Sequence, residues 1–171
     1  MSAEKHILLK SGDIQKRIAE LAAEMSDLLQ NEKFDILWLA EGAFYFAADL
    51  TRLLPLQDIQ IHSLKVSSYG AGKKSSENPL IIGDISKFRG RNVLIVDDIF
   101  DTGKTLEFVS AELKKIGAEK IMSCFLLNKK VEKLTDAKPD FVGFDIEDRF
   151  VFGYGLDSGG VNRNLPDIWA E

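Results

Sequence analysis

Apolar positions recur at two spacings along this chain. Ile14, Ile18, Leu21, Ala22, Met25, Leu28 and Leu29 fall three and four apart, the period of one helical face, and Ser11 or Asp13 stands where a cap would start the helix. Phe44 to Leu54 reads as a second helix, which Pro55 stops. Leu106, Phe108, Val109, Ala111, Leu113 and Ile116 form a third, ahead of Gly117, a typical C-cap residue. Between the helices lie short apolar runs, Asp35–Ala40, Val93–Val96 and Ile121–Leu127, which read as strands buried on both faces. Asp58–Val66 alternates, and Leu80–Ile82, Phe141–Phe144 and Phe150–Phe152 are further short strands. Strands alternating with helices predict an α/β fold, a mainly parallel twisted sheet with helices on both faces. The stretch 67–78, SSYGAGKKSSEN, has no apolar period and reads as a mobile loop, and Ser86–Arg91 reads as a polar turn.

Length sharpens this to a single domain over 1–171, with a core from about 35 to 145. The net charge of −5 argues against a broad nucleic-acid-binding surface. No apolar run reaches the length of a membrane span, and the opening MSAEKHILLKSGD lacks the apolar stretch of a signal peptide. The single cysteine, Cys124, sits inside an apolar run, where it reads as a core thiol with no disulfide partner. Together these predict no membrane partner and a reducing, cytoplasmic setting. His6 is an isolated polar residue with no catalytic role expected.

The chemistry concentrates in Asn92–Leu106, NVLIVDDIFDTGKTL: a buried strand, an acidic turn, a small polar loop and a helix. In an open α/β sheet, ligands bind where strands end and helices begin. Here loop amides and the positive end of the helix would face one point, a natural anion seat. The GKT ending invites comparison with a nucleoside-triphosphate P-loop, but that motif needs glycine five residues before Gly103, where this chain has Asp98. Two carboxylates beside a phosphate would repel it unless they serve ribose hydroxyls and a magnesium ion. A ligand joining a phosphate, a ribose diol and Mg²⁺ is a phosphorylated sugar. Glu41-Gly42-Ala43 ends the strand before Phe44, so this turn should lie on the same rim.

The string DDIFDTGKT resembles the PRPP-binding signature of the type I phosphoribosyltransferases, and KPDFVGFDIEDRFVFGYGLD, Lys138 to Asp157, closely resembles the hypoxanthine–guanine branch. The resemblance spans residues about 36 to 165. It implies Mg²⁺-dependent transfer of phosphoribose from PRPP to a purine base, giving a nucleoside monophosphate and pyrophosphate. It also implies a small hood formed by the chain ends and a homodimer or homotetramer. By the same resemblance Asp97 and Asp98 lie near the ribose hydroxyls, and Asp101 is the catalytic base beside purine N7. Thr102, Gly103, Lys104 and Thr105 hold the 5′-phosphate. Lys129 reads the 6-oxo group, Phe150 stacks on the base, and main-chain groups near Val151 read its edge. Asp157 binds magnesium, with Asp97 and Asp98 as further candidates, and Arg163 contacts pyrophosphate. Ser68 and Tyr69 sit on a closing lid. The turn at Glu41 and Gly42 binds pyrophosphate through its backbone, often with a non-proline cis bond, here expected at Ala40–Glu41.

One departure stands out. The family usually has lysine before the glycine of this turn, and this chain has Glu41. A carboxylate cannot donate to pyrophosphate, so a non-catalytic sensor of PRPP or nucleotide stands as the alternative to an enzyme. A preference for xanthine over hypoxanthine or guanine is equally open on the sequence.

Overall fold

The computed structural model describes residues 5–30, 32–69 and 75–171, apart from the side chains of 67–69 and 75–78. Its order is β1 (His6–Leu9), α1 (Ser11–Gln30), β2 (Phe34–Ala40), α2 (Phe44–Leu53), β3 (Ile61–Tyr69) and β4 (Ser75–Ile82). A 3₁₀ turn (Ser86–Phe88) follows, then β5 (Asn92–Phe100), α3 (Lys104–Lys115), β6 (Ile121–Lys129), β7 (Phe141–Ile146), β8 (Val151–Phe152) and β9 (Ile168–Ala170).

Six strands form one sheet in the order β4-β3-β2-β5-β6-β7. Every neighbouring pair is parallel except β3–β4. Central strands of such a sheet are buried on both faces, which explains why Leu94 and Val96 pack with α1 and α2 while Val93 and Ile95 pack with α3. α1 supplies Ile14, Ile18, Leu21 and Met25 to the first face, all fully buried. α3 supplies Leu106, Val109 and Leu113 to the second. The chain leaves β2 for one side of the sheet and later returns to β5 on the other side, so β2 and β5 are adjacent strands whose connections diverge. That is a topological switch point, and it opens a crevice beyond the strands' C-terminal ends. Ala40–Gly42 and Asp97–Asp101 meet there.

A second sheet, β1-β9-β8, is antiparallel and built from both chain ends. Ile168 and Ala170 are fully buried in it, and Trp169 stacks on Phe152 with ring centroids 6.5 Å apart. This is the hood, and it sets residues 150–163 over the crevice. Its strands β1 and β9 are too short to announce themselves by periodicity. Among the described residues no helix is long and apolar enough to cross a membrane.

The structure corrects the reading of 67–78 as a loop. β3 runs on to Tyr69 and β4 begins at Ser75, paired antiparallel through Ser67↔Leu80 and Tyr69↔Ser75. Val66 and its partner Ile81 pack on the core, while Leu80 and Ile82 on the other face remain exposed. Ser68 lies within β3 and Tyr69 ends it; their side chains fall outside the described residues, as do residues 70–74. The apolar alternation from Asp58 also begins too early: Asp58 has a positive φ of 53°, and β3 starts at Ile61. Phe150 precedes β8 rather than forming part of it.

Candidate active site

β5 carries its apolar side chains to Val96 and then two acids. Asp97 is 8% exposed and Asp98 half-buried. Asp97 accepts the N–H of Asp98 at 3.0 Å, and Asp98 accepts that of Ile99 at 2.9 Å. Burial pushes the proton affinity of both carboxyls above the ordinary carboxylate range, and at Asp97 the neighbouring charge of Asp98 adds to the rise. The folded pair therefore holds protons that the unfolded chain has already released, and ligand-free protein loses stability as pH rises through that window. Asp97→Asn removes the repulsion. In chelator, its advantage over wild type in urea midpoint should grow as pH rises above the ordinary carboxylate range; a constant difference would deny the coupling.

Beyond the acids the chain bends at Asp101, Thr102 and Gly103 and enters α3 at Lys104. Gly103 is left-handed (φ 91°), and a Cβ there would stand 2.5 Å from Thr135 Oγ1, so both conformation and space require glycine. No side chain caps α3, which leaves its first amides facing the crevice. Asp97 to Gly103 and Thr105 line a cavity of about 240 Å³ with Leu39, Ala40 and Val66.

The opposite wall is the turn after β2. The Ala40–Glu41 peptide is cis, where the resemblance placed it. A Cβ on Gly42 would lie 1.7 Å from Asp98 Oδ2. A Cβ on Gly155 (φ 100°) would lie 2.1 Å from the Gly42 carbonyl oxygen. Three segments of the chain are thus stacked through two glycines: the acid pair, the β2 turn and the hood.

The hood also brings in Arg163, whose guanidinium donates to the Gly155 carbonyl at 2.7 Å and pairs with Asp157 at 2.9 Å and Glu41 at 3.5 Å. Asp157 in turn accepts the Gly160 N–H at 2.7 Å. Lys129, at the end of β6, has a largely buried side chain directed to Asp148 at 3.3 Å. Its neighbour Lys130 pairs instead with Glu147 and is more than half exposed. Phe150 is half exposed, so it is not a core residue. A second cavity of about 400 Å³ gathers Glu41, Gly42, Asp97, Asp98, Asp101, Lys129, Phe150, Val151, Asp157 and Arg163. The acid pair and Asp101 stand in the walls of both cavities. Asp101 itself is exposed.

Sequence reasoning missed Lys133. Its ammonium donates to the main-chain carbonyls of Asp101 (2.7 Å) and Lys129 (2.5 Å) and to Asn128 Oδ1 (3.0 Å), and lies 4.7 Å from the centre of the Phe100 ring. It ties the ends of β5 and β6 together. The same segment buttresses the loop before α3, with the Leu134 N–H donating to Thr102 O at 2.9 Å. The stretch 131–137, VEKLTDA, is too short and too mixed to have marked it.

Residues 6–159 match the family model described as the phosphoribosyl transferase domain. The chain belongs to the phosphoribosyltransferase family. It is 40% identical over 165 residues to a hypoxanthine-guanine phosphoribosyltransferase of Aquifex aeolicus, covering 95% of this chain and 92% of that protein. It is 37% identical over 163 residues to the enzyme of the same name from Bacillus subtilis, covering 95% and 90%. A crystal structure of a hypoxanthine-guanine phosphoribosyltransferase from Bacillus anthracis superposes with a TM-score of 0.88 at 31% identity, covering 97% of this chain and 98% of that one. With relatives this similar over nearly the whole chain, the protein is a phosphoribosyltransferase of the hypoxanthine–guanine branch, a transferase by class.

Proposed function

We propose that this phosphoribosyltransferase moves phosphoribose from PRPP to hypoxanthine or guanine, releasing pyrophosphate and a nucleoside 5′-monophosphate in purine salvage. One observation carries the reading: acids, the α3 start, Lys129, Phe150 and Arg163 line two adjacent cavities, with shared walls, at the switch point. The 5′-phosphate rests on the amides of Thr102, Gly103, Lys104 and Thr105, where the helix dipole favours it. Asp97 and Asp98 accept the ribose hydroxyls. Phe150 offers its exposed face to the flat base. Lys129 donates to the 6-oxo oxygen and would oppose donor to donor in a 6-amino base. Main-chain groups at Val151 read the base edge.

The reaction forms the bond from purine N9 to the anomeric carbon and breaks the bond from that carbon to pyrophosphate. Asp101 takes the N7 proton as N9 attacks. Positive charge growing on the ribose ring faces the carboxylates of Asp97 and Asp98. Arg163 and the backbone of Glu41 and Gly42 receive the departing pyrophosphate. Ser68 and Tyr69, on the β3–β4 hairpin, are the lid that keeps water from the activated sugar.

The residues present suit magnesium. Among the described residues no three acids, histidines or cysteines cluster as a protein-only metal site. A hard ion that keeps its waters and is completed by substrate phosphates needs only one or two carboxylates. Asp157 would hold it directly or through water, with Asp97 and Asp98 on the ribose side. Bound there, it would neutralise charge on the leaving diphosphate. Half-exposed Phe44 and Leu53 on α2 suit a contact with a second copy, and buried Cys124 suits a reducing cytoplasm.

Radiolabelled hypoxanthine incubated with PRPP, with and without Mg²⁺, tests the proposal. Labelled inosine monophosphate formed only with the metal is the expected result. No product from any purine base would favour a sensor on the same fold. Lys133→Met should lower kcat/KM about tenfold or more, because bonds to a charged donor are worth about 1.5–3 kcal/mol and hold both Asp101 and Lys129. Lys133→Arg should recover part of the loss; an active Lys133→Met variant would remove it from the site's framework.

A further inference from the structure

The proposed reaction uses the backbone of Glu41 but leaves its side chain without a task, and that carboxylate stands where an anion should be least welcome. Its Oε1 lies 3.1 Å from Lys65 Nζ and its Oε2 3.5 Å from the Arg163 guanidinium. Both carboxylate oxygens therefore point at cations. Two cations line the larger cavity among the described residues, Lys129 and Arg163. Lys129 sits beside Phe150 and Val151 at the base end, which leaves Arg163 for an anionic group at the other end. Arg163 is already held by Asp157 and the Gly155 carbonyl, so its remaining capacity is directed toward Glu41. Trp38, Phe44, Tyr45 and Gly155 line a recess bordered by Glu41 and Arg163, and the pair stays open to solvent, with the Glu41 side chain 58% exposed.

We infer that Glu41 is an affinity-setting residue: its carboxylate, steadied by Lys65, occupies Arg163 in place of the diphosphate group and must be displaced from it when PRPP or pyrophosphate enters. This rests on the functional reading above and adds a competitor to it. Two negative groups contend for one guanidinium, so each binding event breaks the Glu41 contacts. The consequence falls on diphosphate-bearing ligands and not on the base, because Lys129 and Phe150 lie at the other end. It also weakens retention of the product pyrophosphate, since the same carboxylate can return to Arg163 as the product leaves.

Glu41→Gln tests this, because it keeps the shape of an exposed side chain while removing its charge. KM for PRPP and the inhibition constant of pyrophosphate should both fall about two- to fivefold, the range an exposed ion pair can supply. KM for hypoxanthine should stay constant, and the difference between variant and wild type should shrink in high salt. An unchanged or higher KM for PRPP in an active variant would overturn the inference and leave the transferase reading intact. No nucleotide from wild type would instead overturn the transferase reading. In that event calorimetric titration with magnesium pyrophosphate still decides the role of Glu41: tighter binding by Glu41→Gln supports it, and equal or weaker binding refutes it.

Discussion

Gly42→Ala should reduce kcat/KM about 100-fold while leaving a folded protein. The added methyl would lie 1.7 Å from Asp98 Oδ2, far inside van der Waals contact. The clash cannot be relieved by moving the turn away from Asp98, because the carbonyl of Gly42 is itself held against Gly155, where a Cβ would come within 2.1 Å. Asp98 must therefore rotate out, and its bond from the Ile99 N–H at 2.9 Å is lost or bent. Overpacking of this kind costs about 1–3 kcal/mol of stability. A displacement of about 1 Å at a reacting centre costs about 10²-fold in rate. Activity should therefore fall much further than the unfolding midpoint. Steady-state kinetics beside urea denaturation checks this, and a variant that turns over normally would show that Asp98 need not hold its place. Gly155→Ala should reproduce a weaker form of the defect, transmitted through the turn.

What could be read from the chain follows from where its physics is local. β2, β5 and β6 announce themselves because a strand buried on both faces must be continuously apolar, and α1 and α3 because each has one wet face. The acids at the end of β5 and the glycine that opens α3 are also local, since strand, turn and helix adjoin in sequence. Arg163 could be placed by resemblance but not by spacing, because the hood folds back over a crevice formed by the distant segments 40–42 and 97–101, and nothing in the chain encodes that return. Lys133 was invisible for a related reason: it acts through main-chain carbonyls of Asp101 and Lys129, and a carbonyl carries no residue identity. The β3–β4 hairpin was misread because its backbone pairs across a polar stretch, Ser67–Tyr69 against Ser75 onward, where no apolar residue marks a period; apolar side chains resume only at Leu80–Ile82, where Ile81 packs on the core. The Asp157–Arg163 contact illustrates the opposite limit. It is an ion pair in the structure, yet the same two side chains face the cavity, so pairing at rest does not exclude them from a ligand.

Asp101→Asn should lower kcat about 10²–10⁴-fold, the usual contribution of a positioned proton acceptor, with KM for PRPP nearly unchanged. The asymmetry follows from what Asp101 does and does not hold. Its side chain is exposed at the junction of the two cavities, whereas its main-chain carbonyl is fixed by Lys133 at 2.7 Å. Asparagine keeps that backbone bond, keeps the entry into α3 and keeps the free amides of Thr102 to Thr105, so the phosphate seat survives. It loses only the ability to accept a proton from N7, because an amide oxygen is not a base at neutral pH. An interaction made only in the transition state appears in kcat, while one shared by ground and transition states appears in KM. The reverse substitution pattern sharpens the assignment: Thr105→Val, which trims a hydroxyl at the phosphate seat, should raise KM for PRPP and spare kcat. If Asp101→Asn instead raises KM for PRPP and spares kcat, Asp101 belongs to the sugar-phosphate site and the proton leaves by another route.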